Sequence, residues 1–181
     1  AAALTGGKVR IEGVTSESKQ GDRRFLEVLA RMGAGVEWIS EVLEVTGPAV
    51  LRSVEVDFAD MPDQVPTLAA LAPFAVGTTT VAGVPHLRVK ESDRLAAMST
   101  ELRRLGADLD ELPDGLVVRG TWAERPAPSG ETRVETYGDH RIAMSLALCG
   151  LRRPGVVVRQ PEVVAKSYPA FWHDLEGLIR A

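Results

Sequence analysis

The chain is poor in cysteine, in long apolar runs and in uncompensated charge, and each shortage removes a class of protein. One cysteine, Cys149, stands in 181 residues. No internal disulfide framework is possible, and the usage fits a reducing cytoplasm. Leu146, Leu148 and Leu151 surround it in sequence, which marks a buried thiol rather than a nucleophile. No apolar stretch approaches the roughly 20 residues of a membrane span, and no signal segment opens the chain. Lys and Arg number 21 against 25 Asp and Glu, a formal net charge of -4. That balance lacks the basic face of a general nucleic-acid binder. Low-complexity stretches are absent, and so is an initiator methionine. Ala1-Ala2-Ala3-Leu4-Thr5-Gly6-Gly7 reads as the last turn of a helix closed by glycine, a helix without its beginning. The expectation is a piece of a longer protein, with enough chain for one domain and a real core.

What the chain does have is self-similarity. Gly6-Gly7-Lys8-Val9-Arg10-Ile11-Glu12-Gly13-Val14 leads into Gln20-Gly21-Asp22-Arg23-Arg24-Phe25-Leu26, then Leu29-Ala30-Arg31-Met32-Gly33-Ala34. About seventy residues later Gly77-Thr78-Thr79-Thr80-Val81-Ala82-Gly83-Val84 leads into Glu91-Ser92-Asp93-Arg94-Leu95, then Leu102-Arg103-Arg104-Leu105-Gly106-Ala107. A shortened third copy starts at Pro154-Gly155 and reaches Lys166. Internal repeats are therefore placed at about 6–76, 77–154 and 155–181 of a single domain spanning 1–181. A period this long is a supersecondary unit stacked on its neighbours.

Each unit mixes strand and helix patterns, so the fold class is α/β (α+β) with the order β-α-β-β-β-α. Val9 and Ile11 alternate with Lys8, Arg10 and Glu12, a half-buried strand. Phe25, Val28, Leu29 and Met32 fall at helical spacing after Asp22, a good N-cap residue. Strands are read at Val36–Ile39, Leu43–Val45 and Val54–Phe58. A second helix follows Pro66 with Leu68, Leu71 and Phe74. In the second unit Leu95, Met98, Leu102 and Leu105 form an apolar helical stripe. Leu116-Val117-Val118 and Val134 mark strands, and Met144, Leu148 and Leu151 mark the next helix. Stacked units bring equivalent helix N-termini to one side, where free N–H groups favour anions. Gln20, Asp63, Lys90, Glu91, Arg94, His140, Arg141 and Lys166 stand at such positions. The pattern predicts a site for a small, multiply anionic molecule.

Two long motifs sharpen this. Arg88-Val89-Lys90-Glu91-Ser92-Asp93-Arg94-Leu95 and Tyr137-Gly138-Asp139-His140-Arg141-Ile142-Ala143-Met144-Ser145 resemble two signatures of the 5-enolpyruvylshikimate-3-phosphate synthase family. Gln20-Gly21-Asp22-Arg23-Arg24-Phe25, Met61-Pro62-Asp63 and Ala165-Lys166-Ser167-Tyr168-Pro169 resemble the same family in the right order. The resemblance covers essentially the whole chain and corresponds to somewhat under half of that enzyme, its C-terminal part. It implies an enolpyruvyl-transferase-like domain of βαβαββ units, two complete and one partial. It further implies that the third unit is completed by an N-terminal portion of the same enzyme, the chain's natural partner. The family moves the enolpyruvyl group of phosphoenolpyruvate to the 5-hydroxyl of shikimate 3-phosphate and releases phosphate. The implied work is cytoplasmic and needs no metal or organic cofactor, no nucleic acid and no membrane.

The resemblance also assigns roles. Asp63 is the base or hydrogen-bond anchor at the 5-hydroxyl; without the motif it reads as a helix N-cap. Glu91 protonates carbon C3 of phosphoenolpyruvate and later removes that proton; without the motif it is a solvated first-turn glutamate. Lys90 faces shikimate 3-phosphate and lowers the pKa of nearby acids. Arg94 and Arg141 grip phosphoenolpyruvate by its carboxylate, for which a planar guanidinium is suited. A surface ion pair with Asp93 and Asp139 is the plainer alternative, and those aspartates orient the arginines or cap the helices. Lys166 reaches the phosphate of phosphoenolpyruvate and relays a proton, or is a solvated charge. His140 supports the site or is structural. His86 stands where some relatives carry an asparagine that contacts shikimate 3-phosphate, and either side chain can hydrogen-bond a hydroxyl. Gln20 is structural or peripheral.

Two rivals stand beside this reading. The sister transferase acting on UDP-N-acetylglucosamine shares fold and donor, but the Lys90–Arg94 and Asp139–Arg141 runs favour the shikimate family. A noncatalytic anion-binding or assembly domain is the other. The phosphate-binding serines and further cationic groups of the family are not on this chain, which supplies about half of the site.

Overall fold

The computed structural model describes residues 1–180; residue 181, the last of the expected third unit, lies outside them. A short helix α1 (Ala2–Thr5) precedes strand β1 (Lys8–Ile11), helix α2 (Phe25–Arg31), strands β2 (Gly35–Ile39), β3 (Val42–Thr46) and β4 (Glu55–Asp57), and helix α3 (Val65–Leu71). The same order then runs through β5 (Thr78–Ala82), α4 (Arg94–Arg104), β6 (Asp108–Leu112), β7 (Gly115–Arg119), β8 (Thr132–Val134) and α5 (His140–Gly150). Strand β9 (Val156–Val158) and helix α6 (Phe171–Arg180) close it. No helix among the described residues is long and apolar enough to cross a membrane.

Three sheets result. Strands β1-β3-β2 are antiparallel throughout. In the second sheet, ordered β4-β5-β7-β6, β4 runs parallel to β5 and the rest are antiparallel. The third holds β8 and β9 in parallel. The last strand of one β-α-β-β-β-α run thus pairs with the first strand of the next. Beyond β1 and β9, no further strand among the described residues continues the pairing. Between these two edges lies an apolar groove of about 780 Å³, lined by Val9, Val156, Val158, Trp172, Leu175 and Ile179.

The core lies where α3 packs on α4 and α5. Leu68, Met98, Leu102, Ile142 and Leu146 are fully buried there, each worth about 1.5–3 kcal/mol of apolar transfer. The stripe read on α4 is the buried one: Leu95, Met98, Leu102 and Leu105 are at most 1% exposed. Helices α2 and α4 end alike. Gly33 (φ 103°) and Gly106 (φ 86°) take left-handed backbone. The Ala34 N–H reaches the Leu29 carbonyl at 3.0 Å, and Ala107 reaches Leu102 at 2.9 Å. Glycine makes that reversal without a Cβ clash.

Several expectations need correction. The helix marked by Met144, Leu148 and Leu151 is present as α5, with Leu151 just past its end; its buried face is Ile142, Ala143, Leu146 and Cys149, and the three marking residues are half-buried. This helix is apolar on most sides, so periodicity does not single out its inner stripe. Asp22 caps no helix: it sits inside a 3₁₀ turn (Gly21–Arg24) that leads into α2. Ile11 is 38% exposed rather than half-buried, because β1 is an edge strand. The acidic strand β6 and helix α6 were not read at all. Cys149 is fully buried, and burial pushes its thiol up to about 12.

Candidate active site

The charged residues of the two long motifs meet where α4 and α5 begin. Asp93 caps α4 by accepting the Ala96 N–H at 3.0 Å. Asp139 caps α5 by accepting the Arg141 N–H at 2.9 Å. Capping places the next side chains, Arg94 and the His140–Arg141 pair, in the first turns. Asp63 arrives from a 3₁₀ turn (Pro62–Gln64) just ahead of α3.

Arg94 is the hub. Its Nε donates to Asp139 Oδ2 at 2.8 Å and its Nη1 to Asp63 Oδ1 at 2.8 Å. The side chain is only 4% exposed, and Asp139 is fully buried. Burial opposes both charges. The ion pairs overcome it, so Arg94 is held above and Asp139 below the ordinary range. Neither is the surface ion pair of the plainer reading. Arg141 Nη2 reaches the other Asp63 oxygen, Oδ2, at 2.9 Å and keeps 27% of its side chain exposed. Asp63 is therefore no N-cap; both its oxygens are spent on guanidinium groups.

A second cluster adjoins the first. His140 Nδ1 lies 3.0 Å from Glu91 Oε2 and 4.0 Å from Asp139 Oδ1. An ionised Glu91 accepts only, so the His140 proton belongs on Nδ1. Lys166 donates to the other Glu91 oxygen. That hydrogen bond is the main cause holding Glu91 below the usual carboxylate range; burial works the other way. Lys166 acts from the end of a 3₁₀ turn (Pro161–Lys166), five residues before α6 starts, and not from a helix N-terminus. The Ser92 hydroxyl donates to Asp139 Oδ2 at 3.2 Å and ties Glu91's neighbour to the hub.

The structure thus joins Asp63, Arg94, Arg141, Asp139, His140, Glu91 and Lys166 through direct contacts. It does not join Lys90 or His86 to them: among the described residues neither makes a hydrogen bond or ion pair, and Lys90 is exposed. Asp93 orients neither Arg94 nor Arg141; it pairs with Arg88 at 3.1 Å. Gln20 is exposed and precedes the turn into α2, outside the cluster. Sequence reasoning missed Ser92 and Arg88. Arg88 binds Glu111 at 2.8 Å and the Leu112 and Pro113 carbonyls, fixing the turn that carries Lys90 and Glu91. Its place inside the motif was the available signal.

Glu91, Asp139 and His140 also place three ligand atoms within 4.8 Å of one another. The donor set suits a divalent cation. However, Arg94 and Lys166 already sit on these oxygens, and two fixed positive charges repel a third. The arrangement is better suited to anions. A pocket of about 230 Å³ opens beside Asp63 and Arg141, walled by Met144, Leu148 and Phe171. This accounts for the half-buried side of α5.

Comparisons with known proteins identify the family. The family model for EPSP synthase (3-phosphoshikimate 1-carboxyvinyltransferase) matches residues 1–175. A 3-phosphoshikimate 1-carboxyvinyltransferase of Syntrophobacter fumaroxidans is 50% identical over 178 residues, 98% of this chain and 41% of its own length. Its counterpart from Nostoc punctiforme is 44% identical over 95% of this chain and 39% of its own length. Among solved structures, EPSP synthase from Acinetobacter baumannii superposes with a TM-score of 0.80 at 30% identity, covering 97% of this chain and 43% of that one. The chain therefore spans about two fifths of the length of these relatives. By sequence and by fold, the chain belongs to the EPSP synthase (3-phosphoshikimate 1-carboxyvinyltransferase) family.

Proposed function

We propose that this chain supplies one wall of an active site that transfers the enolpyruvyl group of phosphoenolpyruvate to the 5-hydroxyl of shikimate 3-phosphate. One observation carries the reading. Two arginines from different helices converge on one exchangeable carboxylate, Asp63, beside a glutamate held between a lysine and a histidine. Anionic substrates meet cations there whose present partners they can replace.

The steps follow from the geometry. Arg141, the more exposed guanidinium, leaves Asp63 and takes the phosphoenolpyruvate carboxylate, while Arg94, anchored on Asp139, presents a fixed edge. Asp63, freed from Arg141, accepts the proton of the 5-hydroxyl as its oxygen bonds to C2. Glu91 delivers a proton to C3, turning methylene into methyl. An acid held below its usual range is a poor donor at neutral pH. The substrate phosphate removes that handicap by drawing Lys166 away; the nearby negative charge raises the Glu91 pKa, and Glu91 takes up from solvent the proton that it delivers. Glu91 then takes the proton back from the methyl group, the double bond re-forms, and the C2–O bond to phosphate breaks, the departing phosphate carrying off the proton that Asp63 took from the hydroxyl. Lys90, exposed and unpaired among the described residues, is available to shikimate 3-phosphate, and His86 to its hydroxyls.

In this reading the chain is one domain of repeated units at about 6–76, 77–154 and 155–181. The open edges of β1 and β9 receive strands from the N-terminal portion of the same protein, which brings the remaining cationic groups. The setting is a reducing cytoplasm, as the single buried cysteine suggests. The test is phosphate release from phosphoenolpyruvate and shikimate 3-phosphate by the full-length protein containing this chain. Turnover that requires both substrates supports the reading. Binding without turnover returns the chain to the noncatalytic alternative, and turnover only with UDP-N-acetylglucosamine assigns the sister reaction.

A further inference from the structure

The loop ahead of α5 is unusual. Tyr137 (φ 56°) and Gly138 (φ 69°) take left-handed backbone in succession. Glycine does so freely, but a bulky aromatic residue rarely does unless its surroundings hold it there. What holds Tyr137 is Glu101, a fully buried glutamate in the middle of α4. The Tyr137 hydroxyl donates to Glu101 Oε1 at 2.7 Å, and the Glu135 N–H donates to Oε2 at 3.2 Å. Burial and the Glu101 carboxylate push the Tyr137 hydroxyl up to about 12, so it remains a donor through the neutral range.

Glu101 lies two turns along α4 from Arg94. The same helix therefore grips the loop at two points: Glu101 holds Glu135 and Tyr137, and Arg94 holds Asp139. Between the two grips the chain makes its left-handed reversal. Immediately beyond them come His140 and Arg141.

We propose that the Tyr137–Glu101 hydrogen bond is a positioning device that fixes this left-handed turn and so aims Arg141 at the anionic substrate. The inference rests on the reading of Arg141 as the phosphoenolpyruvate carboxylate ligand. Tyr137 and Glu101 touch no substrate; they act through the start of α5. The polar contact, rather than apolar packing, carries the effect, because Tyr137 is 45% exposed.

The experiment uses the full-length protein and the substitutions Tyr137→Phe and Glu101→Gln. Phe keeps the ring and loses the hydroxyl. Gln keeps an acceptor for the Glu135 N–H and can donate to the Tyr137 hydroxyl. The first readout is steady-state kinetics. Tyr137→Phe raises KM for phosphoenolpyruvate by about 3–10-fold, the scale of the net contribution of one ordinary hydrogen bond, and leaves KM for shikimate 3-phosphate unchanged. Glu101→Gln stays close to wild type. The second readout is amide hydrogen exchange, which separates local from global opening. The Glu135, Asp139 and Arg141 amides exchange about tenfold faster in Tyr137→Phe, and those of the α4 interior do not. Equal rises in both KM values, uniformly faster exchange, or no change in either readout overturns the inference. If the wild-type protein does not turn over, the functional reading fails, and exchange alone decides whether the turn is held by this pair.

Discussion

Arg94 and Arg141, each in the first turn of its own helix, hold opposite oxygens of a single carboxylate: Arg94 Nη1 on Asp63 Oδ1 at 2.8 Å, and Arg141 Nη2 on Asp63 Oδ2 at 2.9 Å. Asp63 thus occupies the groups that the functional reading gives to an anionic substrate. A competitor and a proton acceptor are the same residue, and substitution separates the two roles. Asp63→Asn keeps the shape and removes the charge. In the full-length protein, kcat falls by about 10²–10⁴-fold, the scale of a lost general base. KM for phosphoenolpyruvate stays level or falls, because the substrate no longer displaces a carboxylate. Steady-state kinetics with both substrates varied checks this. A large rise in that KM with kcat intact would make Asp63 a substrate-binding group without acid–base duty.

Glu91 faces a lysine on one oxygen and a histidine on the other. Glu91→Gln preserves volume and hydrogen-bonding reach while removing the transferable proton. Turnover falls by about 10²–10⁴-fold with both KM values within a few-fold of wild type. The second readout is exchange of the C3 hydrogens of phosphoenolpyruvate with solvent deuterium, which is lost along with turnover. Normal turnover in Glu91→Gln would transfer the C3 proton to another group, with Lys166 the nearest candidate.

Which of these features the sequence revealed depends on how local their causes are. The α4 stripe was legible because its other faces are polar, so one side only could be buried. The Asp93 and Asp139 caps were legible because capping is decided within three residues. The inner face of α5 was not, because Met144 and Leu148 are as apolar as Ile142 and Leu146; only the position of the neighbouring pocket distinguishes them. Strand β6 is acidic, and its partner decides it: Arg119 of β7 reaches Asp108 at 2.9 Å and Asp110 at 2.5 Å across the ladder. The site residues were named from motifs, but their partnerships were hidden. Asp63 and Arg94 are 31 residues apart, and Lys166 and Glu91 are 75 apart. No local pattern encodes such distances.

Asp139 links the site to acid stability. It is fully buried, and Arg94, the Arg141 N–H and Ser92 hold its ionised form below the ordinary aspartate value despite burial. A depressed folded pKa stabilises above the unfolded value, about 3.9, and that contribution is lost as pH falls through the folded value. Asp139→Asn therefore destabilises by about 3 kcal/mol at pH 7, the lower part of the range for breaking a buried pair, since Arg94 keeps Asp63. Below about pH 4 the two proteins converge as wild type loses the same interaction. Urea unfolding from pH 7 to pH 3 measures the gap. A gap that stays constant over that interval would show that Asp139 does not contribute through its charge.

The unpaired edges of β1 and β9 lead to the last prediction. In the middle sheet, β5 has a parallel neighbour, β4, on one side and an antiparallel neighbour, β7, on the other. Strand β1 has only the antiparallel kind, and β9 only the parallel kind, among the described residues. The groove of about 780 Å³ between them is apolar, and Leu178 and Ile179 beside it are 47% and 62% exposed. Open strand edges and exposed apolar patches favour pairing with another chain. Roughly three fifths of each relative's length lies outside the part that this chain matches, and in the proposed reading that remainder supplies the missing strands. Mixing this chain with the N-terminal portion of its own protein is expected to give a 1:1 complex and a higher Tm that rises with partner concentration by mass action. Alone, the chain self-associates through the same edges and shows no turnover near the ordinary enzymatic rate of about 1 per second. Sedimentation, thermal melts and the phosphate-release assay, each with and without the partner, test the three statements. A monomer whose Tm ignores the added portion would mean that β1 and β9 need no further strands.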